Sequence, residues 1–121
     1  MPQFSQQVNF ETLSFDGTAG NATANYSAVT TNSELVAAPG AGKNIYLTSL
    51  IVSNGATAGY VTVVENTGSP TTKIQRLNLA ASGGCVLSFS AVPLMLSTNV
   101  NLGISSSTAD DFSVTAVYFV K

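Results

Sequence analysis

The sequence predicts an all-β domain: a jelly-roll-like antiparallel β-sandwich of about seven or eight strands, with an extended N-terminal arm. Three observations predict it. No segment sustains a helical period, and the helix-favouring Glu, Lys and Arg are scarce. Short apolar runs rich in β-branched and aromatic residues recur at intervals of about 8–12 residues. Gly, Ser, Thr and Asn fill every connection between those runs.

Residues 1–32 are polar and hold no Lys or Arg. Val8 and Leu13 are their main aliphatic residues, and Phe4, Phe10 and Phe15 stand as isolated aromatics. Residues 17–25 (GTAGNATAN) carry turn and loop chemistry. Two readings fit this segment. It is an extended arm whose Phe4, Phe10 and Phe15 anchor a protein interface, or it is a first strand plus a long loop of the same domain. The β-sandwich proper is expected over residues 33–121.

Residues 43–53 (KNIYLTSLIVS) open that domain as a strand. One parity carries Ile45, Leu47 and Ile51, and the other carries Tyr46, Leu50 and Val52. Apolar residues on both parities predict a central strand covered on two sides. Asn54-Gly55 then predicts a hairpin turn, with residues 60–65 (YVTVVE) as the returning strand. After the loop at 66–70 (NTGSP), residues 71–80 read as a more polar strand, with Ile74, Leu77 and Leu79 among Lys73, Gln75 and Arg76. A turn at 82–84 leads into 85–90 (CVLSFS), and Pro93 predicts a bend or an edge position. Val100, Leu102 and Ile104 alternate onto one face, and residues 111–120 close the chain as a long strand.

The chain has 121 residues, enough for one domain with its own core. Its apolar fraction is 45% and its mean hydropathy +0.29, so there is ample material to bury. Charged residues make up only 8%, against roughly a quarter in ordinary soluble domains. So few charges predict that much of the surface is covered by a partner or by further copies of the chain. The four basic residues, Lys43, Lys73, Arg76 and Lys121, are scattered and the net charge is −2. Nucleic-acid binding draws on clustered Lys and Arg, so no nucleic-acid role is expected. No apolar run approaches the ~20 residues that span a bilayer, so no membrane role is expected either. The N-terminal residues lack the basic and apolar regions of a signal peptide, which predicts a cytoplasmic site of synthesis, with release by lysis if at all. The sequons at Asn21 and Asn25 are then chance matches in a Ser/Thr/Asn-rich segment.

Chemistry finds little to stand on. There is no histidine, so the usual acid–base and metal-binding side chain is missing. Cys85 is the lone cysteine, which excludes an intramolecular disulfide and leaves it without a histidine to activate it. Beside Val86 and Leu87 it reads as a small buried hydrophobe. Residues 37–44 (AAPGAGKN) resemble a phosphate loop, G-x-x-x-x-G-K-[ST], only at their end. Ala37 stands where the first glycine belongs, Asn44 where the hydroxyl belongs, and a strand follows instead of a helix. A turn into the core strand is the better reading. Asp110 and Asp111 are adjacent carboxylates: with backbone carbonyls they would suit a calcium loop, and by themselves they suit a solvated turn. These readings predict no enzyme and no cofactor.

Residues 36–55 (VAAPGAGKNIYLTSLIVSNG) carry one resemblance. A Val-Ala step, a short turn ending in Gly-Lys and an Ile-x-Leu-x-x-Leu-x-Val strand are similar to a pattern in small tailed-bacteriophage virion proteins. Residues 79–87 (LAASGGCVL) and 114–120 (VTAVYFV) also fit. Over residues 35–121 the chain most resembles the capsid decoration (cement) protein family. The resemblance implies a small β-rich domain, often a homotrimer, that sits on the outer surface of a phage head and staples neighbouring major capsid protein subunits. It implies a virion location, with assembly in the host cytoplasm, and carries no catalytic or ligand residue across. The alternative from a different class is a phage tail-fibre or carbohydrate-binding β-sandwich module. Exposed aromatics would mark it, yet the chain has no Trp, and most of its four Tyr fall in strand patterns.

Overall fold

The computed structural model of the chain describes residues 17–89, 91–107 and 111–121. They form nine strands: β1 (Thr18–Tyr26), β2 (Thr30–Val36), β3 (Ile45–Ser53), β4 (Gly59–Glu65), β5 (Thr71–Leu79), β6 (Gly84–Ser88), β7 (Leu94–Met95), β8 (Leu102–Ser106) and β9 (Phe112–Val120). One sheet has the order β1-β9-β3-β6, with β7 also pairing β3; the other has the order β2-β8-β4-β5. Every pairing is antiparallel.

The pairs are nested: β1 with β9, β2 with β8, β3 with β6 and β7, β4 with β5. A ribbon folded in half at the β4–β5 turn and then rolled up gives this nesting, which is the jelly roll. Strands β6 and β7 are one ribbon partner, broken around Pro93. Both run along β3, with Ser88 opposite Ser49 and Leu94 opposite Leu47. The break sits at a sheet edge, where proline's missing N–H costs no ladder bond.

Inward-facing side chains of the two sheets interdigitate as the core. Ile45, Leu47, Leu50, Val52, Phe112, Val114 and Ala116 come from one sheet, and Val36, Val61, Val63, Leu79, Leu102 and Ile104 from the other. Leu96 closes one end, its N–H donating to the Ile45 carbonyl. Tyr26 lies against Phe112 with ring centroids 4.8 Å apart.

Three expectations are corrected by this topology. Residues 54–58 do not close a hairpin: β3 and β4 lie in different sheets, and the connection is an arch across the sandwich. The Asn54 amide holds that arch, its Nδ2 donating to the carbonyls of Thr57 and Ala80. β3 does not present its apolar residues by simple alternation. The pairing with β9 shifts between Leu47 and Ser49, so Ile45, Leu47, Leu50 and Val52 all face the core. A bulge of one residue reverses the facing of every side chain beyond it. The sandwich also starts before residue 33. β1 pairs with β9 over its whole length, and β2 begins at Thr30, so the first-strand reading holds from Thr18 onward. Residues 1–16, with Phe4, Phe10 and Phe15, lie outside the described residues.

Candidate functional site

The loops joining β1 to β2 and β3 to β4 meet the start of β9 at one end of the sandwich. Asn25, Tyr26, Asn54, Asp111 and Phe112 line an open groove there, of about 560 Å³. Asp111 is thus at a loop end and solvent-exposed, while Asp110 lies outside the described residues. Among the described residues no three His, Cys, Asp or Glu side chains converge as metal ligands.

Residues 37–44 lie at the opposite end and make a corner. Gly40 and Gly42 take φ of +110° and +76°, conformations that glycine reaches without a Cβ clash. Three of its N–H groups are already donated within the fold: Gly40 to the Asn99 side chain, Lys43 to the Gly40 carbonyl, and Asn44 to the Lys121 carbonyl. These bonds fasten the corner to the 96–101 segment and to the end of β9.

Glu65 is a buried carboxylate with a structural set of partners. Its Oε1 accepts from the Ser97 backbone N–H at 3.1 Å and lies 3.5 Å from the Lys73 ammonium. Its Oε2 accepts from the Ser97 hydroxyl. Burial pushes the carboxyl up, but the Ser97 bonds and the Lys73 charge outweigh it and hold it below its ordinary value. Cys85 faces the core from β6, half-buried and free, and burial pushes its thiol up. A raised thiol is a poor nucleophile at neutral pH.

The distribution of charge between the sheets sets the two faces apart. β2, β4 and β5 carry Glu34, Glu65, Lys73 and Arg76. On β5, an edge strand, the two cations discourage pairing with another chain. Arg76 stacks over the Tyr60 ring, 4.0 Å from its centroid. By contrast β1, β3, β6, β7 and β9 hold no charged residue.

The outer face of that uncharged sheet can be read off the register. Ile51 of β3 lies between Val86 of β6 and Thr115 of β9. Tyr46 lies between Met95 of β7 and Phe119 of β9, with the Tyr46 and Phe119 rings 4.8 Å apart and 2° from parallel. Val117 sits between those two rows, opposite Ser49. Val86 is 67% exposed, Met95 51%, Ile51 42% and Val117 38%. On β1 the same face carries Ala19, Asn21, Thr23 and Asn25, and Thr23 bonds Thr115 through their hydroxyls. Over β3, β6, β7 and β9 the face carries Tyr46, Ile51, Val86, Met95, Val117 and Phe119 interspersed with Ser49, Ser88 and Thr115, and along β1 it is polar but uncharged. Sequence reasoning did not single out these residues. Their signal is the absence of charge from five particular strands, which appears only once the strands are sorted into sheets.

No protein-family model matches the chain, and no curated protein matches it. Among solved structures it is similar to a virus-like particle of the extra small virus of the giant freshwater prawn Macrobrachium rosenbergii. That likeness has a TM-score of 0.37 and 10% identity, and covers 88% of this chain and 79% of the other. It is also similar to the N-terminal CBM22-1-GH10 modules of Clostridium thermocellum endo-1,4-β-D-xylanase 10B, complexed with xylohexaose. There the TM-score is 0.38 and the identity 11%, over 84% of this chain and 26% of the other.

Proposed function

We propose that this chain is a structural virion protein, a capsid decoration or cement protein. It binds the outer surface of a phage head, as a homotrimer, and stabilises contacts between major capsid protein subunits. One observation carries the reading: a whole sheet of the sandwich presents an uncharged face with Ile51, Val86, Met95 and Val117 exposed. A face of this kind is suited to lasting protein contact, because covering it buries no charged strand residue and its apolar side chains gain by leaving water. The role is structural and not enzymatic, and Phe4, Phe10 and Phe15 serve as further anchors on a neighbouring subunit. Contacts repeated by the symmetry of a head give firm attachment from modest single interfaces.

The test uses phage heads assembled without the chain. Purified protein added to them should co-sediment, saturate at a fixed ratio to capsid subunits and raise the temperature at which DNA escapes. Protein that stays in the supernatant would rule the reading out.

A second reading, a carbohydrate-binding module, is favoured by the groove at the loop end, where Asn25, Asn54 and Asp111 gather polar groups beside Tyr26. Such a grouping of amides, a carboxylate and an aromatic ring suits a sugar's hydroxyls and its apolar face. Saturable binding on a glycan array, lost in Asp111→Ala, would favour it over the first.

A further inference from the structure

The sheet face that carries this proposal leaves open which molecule covers it. We infer that it is a second copy of the same chain: copies turn the outer face of the β1-β9-β3-β6 sheet toward a common symmetry axis and cover one another's Ile51, Val86, Met95 and Val117.

The area is sufficient. The three long strands of the sheet have nine residues each. At about 3.3 Å per residue and about 4.8 Å between strands, the face measures roughly 30 by 19 Å, or about 570 Å². Two such faces laid on each other would bury at most about 1,100 Å² between them, near the ~1,000 Å² lower bound for a specific interface, and around a three-fold axis each face is shared between two neighbours. The layout also fits, with Ile51, Val86 and Val117 clustered in the middle among the hydroxyls of Ser49, Ser88 and Thr115, and a polar margin of Asn21, Thr23 and Asn25 along β1.

Charge is consistent with this occupant. A face matched to a different protein gains steering and register from complementary charges, and the strands of this one hold none of either sign, Asp111 and Lys121 standing just beyond the ends of β9. A face matched to itself has the opposite requirement. Close to a rotation axis identical residues approach one another, so a charge there would meet its own sign. Each copy carries a net charge of −2, and in the described strands all the charge lies on the other sheet. Copies can therefore close on this face without burying an ion or opposing like charges.

This rests on the self-association in the proposed function and not on the capsid. Its test therefore uses the full chain alone, by sedimentation equilibrium over a range of micromolar concentrations. The wild type should weigh a multiple of 12.4 kDa, and Val86→Asp and Val117→Lys should each weigh 12.4 kDa. Both side chains are exposed in the single chain, and circular dichroism melting would establish that the variants fold. Arg76→Glu, on the other sheet, should leave the wild-type mass unchanged. A wild type of 12.4 kDa at every concentration would overturn the inference. So would an oligomer that survives Val86→Asp, Val117→Lys and Ile51→Asp, because its copies would then meet elsewhere. An oligomer lost on removal of residues 1–16 but kept in the three face variants would likewise overturn it, in favour of the N-terminal segment. If the chain associates as expected yet fails to bind heads, the capsid reading alone is lost.

Discussion

Ser97 donates both its backbone N–H and its hydroxyl to the carboxylate of Glu65. The pair ties the last residue of β4 to the segment between β7 and β8, and Lys73 of β5 adds its charge from the other side. A carboxylate held this way favours the folded chain only while ionised. Its folded pKa is below the ordinary 4.5, so the contribution is complete above that value and fades as pH falls through the folded pKa. Glu65→Gln should cost about 1–3 kcal/mol at neutral pH and flatten the acid limb of the stability profile. Urea unfolding across a pH series checks both effects. An acid limb unchanged in the variant would mean that Glu65 does not set it.

Asn54 offers a test of opposite sign. Its Nδ2 feeds two carbonyls, those of Thr57 and Ala80, while its Oδ1 is buried without a partner and the residue is only 7% exposed. Asn54→Asp would set a carboxylate against those carbonyls, so its pKa would rise on folding. The loss should be smallest in acid and grow as pH rises through the aspartate's unfolded pKa, reaching at least about 1–3 kcal/mol at neutral pH. Thermal unfolding at acid and neutral pH would show it, and a loss independent of pH would count against this account of the arch.

Two glycines separate steric crowding from backbone conformation. A Cβ on Gly84 would sit 2.5 Å from the Val52 carbonyl oxygen, so Gly84→Ala must part β6 from β3. A Cβ on Gly42 would meet nothing within 4 Å, and only its φ of +76° opposes substitution. Gly42→Ala should cost about 1 kcal/mol, and Gly84→Ala should cost more, toward about 3 kcal/mol. Equal costs in chemical denaturation would contradict the close approach at Gly84.

The sandwich was legible because apolar residues recur with strand periodicity and turn residues separate them. Tyr60, Val61 and Val63 could be assigned to a strand without knowing their neighbours. Pairing was less accessible. Asn54-Gly55 has hairpin chemistry, yet the buried Asn54 amide uses it to cross between sheets. At Thr48 a bulge reverses the facing of β3, so apolar residues on both parities there arise from one buried face and a second that also carries Tyr46 and Ile51. The candidate face was hidden for a different reason. Val86 and Val117 look like any strand valines until β6 and β9 are known to flank β3 in a sheet without charge. The expectation of a covered surface could be raised from the low charge content alone, because it needs composition and not topology. Phe4, Phe10 and Phe15, proposed as anchors from their spacing, fall outside the described residues.

An electron cryomicroscopy map of phage heads carrying this chain tests the central claim most directly. The account predicts density on the outer surface of the shell in which neighbouring copies touch through Ile51, Val86 and Val117. Copies that stand apart with this sheet facing solvent, or heads with no such density, would contradict it.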